Sequence, residues 1–247
     1  MGLTLGLCLF SGCRSTPAPT PVAPLRIGVV EDSPPLIFRE KRRWKGVEAE
    51  LGRALAERLG KKPVFVALPS DRLNSALLDG KVDILMAGMA ITEERRVQMD
   101  FSSPYLVVGQ AALIRPSDLY RYNTKIKIRS TSNRIGVLEN SAADRLVSRY
   151  FKQAALTRFP SQQEAVDSLQ RENIDLWIGE APAVWWAAQH QTPPLSIAPA
   201  LFAKGELAWA FRRGSVSLRE AANHALADWQ KDGTLELVLG RWLPFSQ

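Results

Sequence analysis

Only two cysteines and two histidines occur among the 247 residues of this chain, and these shortages remove whole classes of chemistry. Two cysteines cannot build the disulfide framework that holds many small secreted domains together. Zinc sites need cysteine and histidine clustered at fixed spacing, and no such cluster is present. His190 and His224 fall in separate helix-like stretches without a paired serine or cysteine. Neither a catalytic triad nor a histidine metal site is therefore expected, and no cofactor is implied. The longest apolar run is too short to span a bilayer. Acidic residues are in deficit, 25 against 32 Lys and Arg, for a net charge of +7. The excess is mostly interleaved with Asp and Glu, and no recognisable nucleic-acid motif accompanies it, which argues against a nucleic-acid partner. The densest basic run, REKRRWK from Arg39 to Lys45, lies between a strand-like and a helix-like stretch and reads as a solvated hairpin tip.

What is present is ordinary globular usage. Hydrophobic residues make up 46% and charged residues 23%, which fits a folded body rather than a disordered or multi-span chain. The length suits two compact lobes or one large α/β domain.

The N-terminus reads MGLTLGLCLFSGC, an apolar run ending in small residues before a cysteine. It is similar to a truncated secretion signal, and Leu9 to Cys13 resembles a bacterial lipobox, in which the cysteine receives lipid and becomes the first mature residue. Met1 to Leu7 contain no Lys or Arg, so the start of translation is expected upstream. The stretch RSTPAPTPVAP that follows is an extended, poorly packing tether. On this reading residues 1–24 are signal remnant and tether, Cys13 is lipidated, and no cysteine remains for a bridge.

From Leu25 onward short apolar runs alternate with amphipathic helical patterns, the signature of α/β architecture. RIGVV, PVFVAL and VDILMAG read as strands. GVEAELGRALAERLG places Val47, Leu51, Leu55 and Leu59 on one helical face and stops at Gly60. Ser70 can cap the next helix. The run YLVVGQAALIR is long enough to join two lobes, after which the alternation restarts with RIGVLEN, a helix capped by Ser141, a capping box at Ser161 and Glu164, and the strand IDLWIG. ELAWAFRR reads as one further strand, followed by a second capping box at Ser217 and Glu220 and by two closing helices. The seven tryptophans fall mostly at core-like positions and are assigned to packing.

Five segments, in order, carry a family resemblance over nearly the whole chain: KGVEAELGRALAERLG, LLDGKVDILMAGMAITEERRVQMDFSSPY, RIGVLENSA, IDLWIGEAP and LADWQKDGTLELVLGRW. Together they resemble the bacterial extracellular solute-binding proteins of polar amino-acid transporters. The resemblance implies a two-lobed α/β fold of the type II periplasmic-binding-protein kind, with two crossover hinge strands and a ligand held in the cleft. The first lobe would comprise 25–114 and 203–247, the second 115–202.

The resemblance also implies a site. The segment GMAITEER would line the cleft, with Arg95 gripping a ligand carboxylate through its planar, permanently charged fork. Thr92 stands where a short helix begins. Gly88 and Ala90 leave room for a ligand to approach the main chain, or serve only to pack a strand end. Ser141 matches the family's helix start facing the carboxylate, and is equally readable as a plain cap. Glu180 falls where an aspartate commonly binds the ligand amine, one methylene longer here, or is a strand-end surface charge. Ser33 stands where many relatives place a stacking aromatic. Arg96 reads as a surface charge.

The leading function is that of a monomeric extracytoplasmic lipoprotein that captures an amino acid or related carboxylate and presents it to an ABC transporter permease. The alternatives are an enzyme on the same scaffold resembling the cyclohexadienyl dehydratases, with a desolvated cleft carboxylic acid as proton donor, or a sensory or cell-wall-associated binding module.

Overall fold

The computed structural model describes residues 22–130 and 132–243. Cys13 and the proline-rich stretch as far as Pro21 lie outside the described residues.

The first lobe opens with β1 (Leu25–Val29), in which only Arg26 escapes full burial. An antiparallel ribbon follows, made of β2 (Asp32–Ser33), β3 (Ile37–Glu40) and β4 (Arg43–Lys45). Its tip is Lys41 and Arg42, both left-handed at φ 46° and 67°, the backbone that a two-residue hairpin demands. The basic run REKRRWK is thus a solvated hairpin tip. Helix α1 (Val47–Arg58) buries Val47, Leu51 and Leu55 on one face and ends before Gly60 at φ 62°. Next, β5 (Pro63–Ala67) pairs parallel with β1. Ser70 does not cap α2 (Leu73–Leu78). It opens a 3-10 turn instead, in which the Arg72 amide donates to the Pro69 carbonyl, so the turn's backbone does the work expected of the serine. Within VDILMAG only β6 (Ile84–Leu85) is regular strand; the chain soon turns at Gly88, φ 61°. Then come α3 (Glu93–Gln98) and β7 (Met99–Phe101).

Strand β8 (Leu106–Ile114) leaves the first lobe. From Gln110 onward it is an interior strand of the second sheet, so the lobe boundary falls within it. Ala111 and Leu113 join one buried cluster and Ala112 and Ile114 another, the pattern of a strand covered on both faces. The second lobe adds α4 (Lys125–Arg129), β9 (Arg134–Leu138), α5 (Ala142–Tyr150), β10 (Ala155–Phe159), α6 (Gln162–Gln170), β11 (Leu176–Glu180), α7 (Ala181–His190) and β12 (Ser196–Ile197). Its strand order is β10-β9-β11-β8-β12. Both predicted serine caps form: Ser141 Oγ accepts the Asp144 amide at 3.0 Å and Ser161 Oγ the Glu164 amide at 3.2 Å.

The chain returns through β13 (Lys204–Leu207), antiparallel to the start of β8 with Leu106 opposite Leu207. These two strands are the crossovers. The expected single strand ELAWAFRR is broken, because the Ala208 amide donates to Met89 and the Trp209 amide to Ser102 Oγ before β14 (Ala210–Arg212) begins. β14 inserts between β6 and β7, giving the first-lobe order β5-β1-β6-β14-β7. The helices α8 (Val216–Lys231) and α9 (Thr234–Trp242) complete the lobe. The capping box at Ser217 and Glu220 is not formed. Gly214, at φ 83°, turns the chain so tightly that α8 starts at Val216 and Ser217 falls inside its first turn. Trp177 and Trp209 are fully buried, one in each lobe, and Trp229 nearly so.

Candidate functional site

In sheets with parallel strands, the carboxyl ends of those strands face the crevice where ligands collect. Here β9 and β11 end at Leu138 and Glu180, and both residues wall a cavity of about 80 Å³ between the lobes. The first lobe contributes Asp32, Ser33, Leu36 and Gly88 to that wall, and the second adds Ser141 and Trp177. Four of the residues expected at the site, Ser33, Gly88, Ser141 and Glu180, are therefore brought together. Ala90, Thr92 and Arg95 stand nearby on the first lobe but form no part of this wall.

Glu180 owes its position to strand register. It lies directly opposite Gln110 on β8, and cross-strand neighbours on one face touch. The Gln110 amide nitrogen accordingly donates to both carboxyl oxygens, at 3.4 and 3.2 Å. Burial pushes the Glu180 carboxyl up to about 7, against the opposing pull of Gln110 and the Arg145 guanidinium. The other face of the Gln110 amide, Oε1, is buried with no donor among the described residues.

Gly88 carries two constraints at once. Its φ of 61° suits glycine, and a Cβ there would stand 2.5 Å from Leu36 Cδ1. Its amide donates to Glu48 Oε1 at 2.9 Å. Glu48 is wholly buried and also receives the Tyr105 hydroxyl at 2.6 Å and the Trp209 indole N–H at 2.9 Å. Burial raises its pKa, while these three donors stabilise the charged form. Sequence reasoning missed Glu48, although a signal existed: the residue shares a helical face with Leu51, Gly52 and Leu55, and an acid there needs partners.

Ser141 spends its hydroxyl locally, donating to the Leu138 carbonyl at 2.6 Å while capping α5. Its role as a cap is thus occupied. Thr92 caps α3 by accepting the Arg95 amide at 3.3 Å. Arg95 folds back so that one guanidinium N–H donates to the Ala90 carbonyl at 2.8 Å. Burial, followed by the neighbouring charge of Arg145, lowers the Arg95 pKa, so this partly dehydrated cation would gain from an anion beside it. Arg145, on α5, acts electrostatically on Arg95, Glu94 and Glu180 alike. It too was missed. Arg96 is exposed, as a surface charge should be.

At the rim, Phe38 of the first lobe meets Trp186 of the second, ring centroids 5.2 Å apart, and Trp186 stacks on His190 at 3.8 Å. Trp186, assigned to packing from the sequence, is thus half of an aromatic contact across the cleft. Chemically, the site offers a carboxyl that can attract a cation, set deep beside a small cavity, and two guanidinium groups that can attract an anion.

The comparisons with known proteins agree with this fold. Residues 25–245 match the model of the bacterial extracellular solute-binding proteins, family 3. The L-cystine-binding protein TcyJ of Escherichia coli (strain K12) is 23% identical over 219 residues, covering 88% of this chain and 82% of that protein. Among solved structures, a binding component of an ABC transporter from Wolinella succinogenes, complexed with lysine, superposes with a TM-score of 0.82 at 28% identity, over 88% of this chain and 94% of that one. An ancestral amino acid-binding protein, AncCDT-1, described as a precursor of cyclohexadienyl dehydratase, gives 0.81 at 27% identity with the same coverage.

Proposed function

We propose a function from one premise: the chain belongs to the bacterial extracellular solute-binding proteins, family 3. It captures a small polar amino acid, or a related carboxylate, between its lobes outside the cytoplasm and delivers it to the permease of an ABC transporter. The observation that carries this reading is the interlobe cavity, walled from one side by Ser33 and Gly88 and from the other by Ser141 and Glu180. In this reading Arg95 swings from the Ala90 carbonyl to grip the ligand carboxylate, and Glu180 holds the amine. Thr92 and Ala90 shape the approach, and the protein works as a monomer. Cys13 carries the lipid that keeps it at the membrane. Among the described residues no helix is long and apolar enough to cross one.

Titration calorimetry with the polar amino acids tests the binding role, and micromolar affinity for at least one of them is the expected result. Detergent partitioning of the full chain beside Cys13→Ser tests the anchor. If both forms stay equally in the aqueous phase, there is no lipid on Cys13.

A second reading rests on Glu180, whose carboxyl sits near 7, where a general acid is effective. The likeness to a dehydratase precursor supports asking the question. A dehydratase would turn prephenate into phenylpyruvate, and Glu180→Gln would abolish turnover while sparing binding. We favour the receptor, because the family is one of solute-binding proteins, although Asp32, a second carboxyl whose pKa burial also raises, lines the same cavity.

A further inference from the structure

The site described so far uses little of the chain's positive charge. From Leu119 to Leu138 the sequence holds five basic residues and no Asp or Glu, and four of the five, Arg121, Lys125, Lys127 and Arg129, are exposed on or beside α4. The fifth, Arg134, is engaged with Asp175 at 2.7 Å. Two nearby acids are already paired, Asp118 with Arg115 at 2.8 Å and Asp175 with Arg134, while Glu172 is exposed near Arg134.

The same surface exposes large side chains that could have been buried. On α4, Ile128 is fully buried while Ile126, two positions earlier, is 77% exposed, because residues two apart point to opposite sides of a helix. Tyr120 is 84% and Tyr150 48% exposed. The cations and rings pair in two groups: Lys127 Nζ lies 4.9 Å from the Tyr120 ring, and the Arg129 and Arg149 guanidinium carbons lie 5.8 and 5.3 Å from the Tyr150 ring.

Strand direction fixes where this surface lies. β9 and β11 run toward the cleft, which they meet at Leu138 and Glu180. α4 precedes the start of β9, and α5 begins at the cleft with Ser141 and ends with Tyr150. The patch is therefore at the pole of the second lobe opposite the cleft.

We propose that this pole docks on an anionic lipid surface, with Tyr120 and Ile126 entering the headgroup region and Lys125, Lys127, Arg121 and Arg129 facing the phosphates. The chemistry favours lipid over a polynucleotide. An outward isoleucine gains from the boundary between headgroup and acyl chain and gains nothing from a hydrated sugar-phosphate backbone, while tyrosine is at home in that layer. Each basic residue near such a surface strengthens attachment by about fivefold. Docking at this pole leaves the cleft free to open.

The test uses the full chain carrying Cys13→Ser, so that no acyl chain contributes, and sedimentation with vesicles of phosphatidylglycerol and phosphatidylcholine or of phosphatidylcholine alone. Preferential binding to the anionic vesicles is expected, weakening as salt is raised. Lys125→Glu with Lys127→Glu should lower the partition constant by at least about tenfold, and Tyr120→Ser with Ile126→Ser should lower it severalfold at unchanged net charge. All four side chains are exposed, and circular dichroism checks that the fold is intact. Equal binding to both vesicle types, or charge variants that bind like the parent, would overturn the proposal. If the apolar pair has no effect and a single-stranded RNA oligonucleotide displaces the vesicles, the patch is a polyanion site and lipid is the wrong partner.

Discussion

The amide of Gly88, at the edge of the cleft, donates to the buried carboxylate of Glu48 across 2.9 Å. Glu48 belongs to α1 and receives two further donors, from Tyr105 and Trp209. One carboxylate thus ties the cleft-facing turn to the helix beneath it, to the entry into β8 and to the chain just past β13.

Removing that carboxylate strands three donors in the first-lobe core. Each buried unsatisfied group costs about 1–3 kcal/mol, so Glu48→Ala should lower unfolding stability by on the order of 3–5 kcal/mol in urea titrations. Glu48→Gln turns an N–H toward one of the donors and should fall between alanine and the parent. A loss below about 1 kcal/mol for Glu48→Ala would mean that the three contacts are not all formed in solution.

Arg95→Ala should abolish most ligand affinity. Two charge-assisted hydrogen bonds at about 1.5–3 kcal/mol each correspond to at least about a hundredfold, read by calorimetry. Arg95→Lys should recover only part of this, since an ammonium cannot present the bidentate fork. If affinity stays within about threefold of the parent, the carboxylate is held elsewhere and Arg145 becomes the candidate.

Glu180 sets a pH dependence with a definite sign. Its carboxyl rises from 4.5 to about 7 on folding, so between those values the folded chain holds a proton that the unfolded chain has released, and stability falls as pH rises through the window. Glu180→Gln should therefore stabilise the ligand-free protein at pH 8, by on the order of 3 kcal/mol, and change little at pH 4. An amine-bearing ligand needs the ionised carboxyl. Its affinity should weaken as pH falls below about 7, and binding should release about half a proton near pH 7 and close to one near pH 6, seen by calorimetry in buffers of different ionisation enthalpy. Glu180→Gln should lose that proton release.

Ligand should favour closure about β8 and β13, and small-angle scattering at saturating ligand should give a smaller radius of gyration. The Phe38–Trp186 contact spans the rim, so Phe38→Ala should weaken the closed form by about 0.5–1.5 kcal/mol, a two- to tenfold loss of affinity. An unchanged scattering profile would argue against a hinge.

The parts of the fold legible in the sequence were those fixed by local chemistry. Helix α1 is bracketed by Gly46 and Gly60, and the serines at 141 and 161 cap the helices they precede. The break between β13 and β14 was not legible, because it depends on Met89 and Ser102, more than a hundred residues earlier. The same applies to Glu48, whose partners lie 40, 57 and 161 positions away. At the candidate site, the family resemblance suggested Glu180 but could not reveal Gln110 opposite it, since that depends on strand register. Family resemblance supplied Arg95, yet only the three-dimensional arrangement brings Arg145 near it.

The insertion of β14 between β6 and β7 also orders events during synthesis. A chain that emerges from the ribosome N-terminus first presents β1, β5, β6 and β7 early, but these cannot form their final sheet until Ala210–Arg212 arrives to fill the interior place. The second lobe, drawn from an uninterrupted stretch after Gln110, has all its strands by Ile197. It can condense while the first lobe still waits with an open sheet and with Glu48 lacking its indole partner, Trp209. Ligand-binding competence is therefore acquired only after Ala210–Arg212 has been made, and a chain terminated before that point would leave one finished lobe and one unfinished lobe for quality-control proteases.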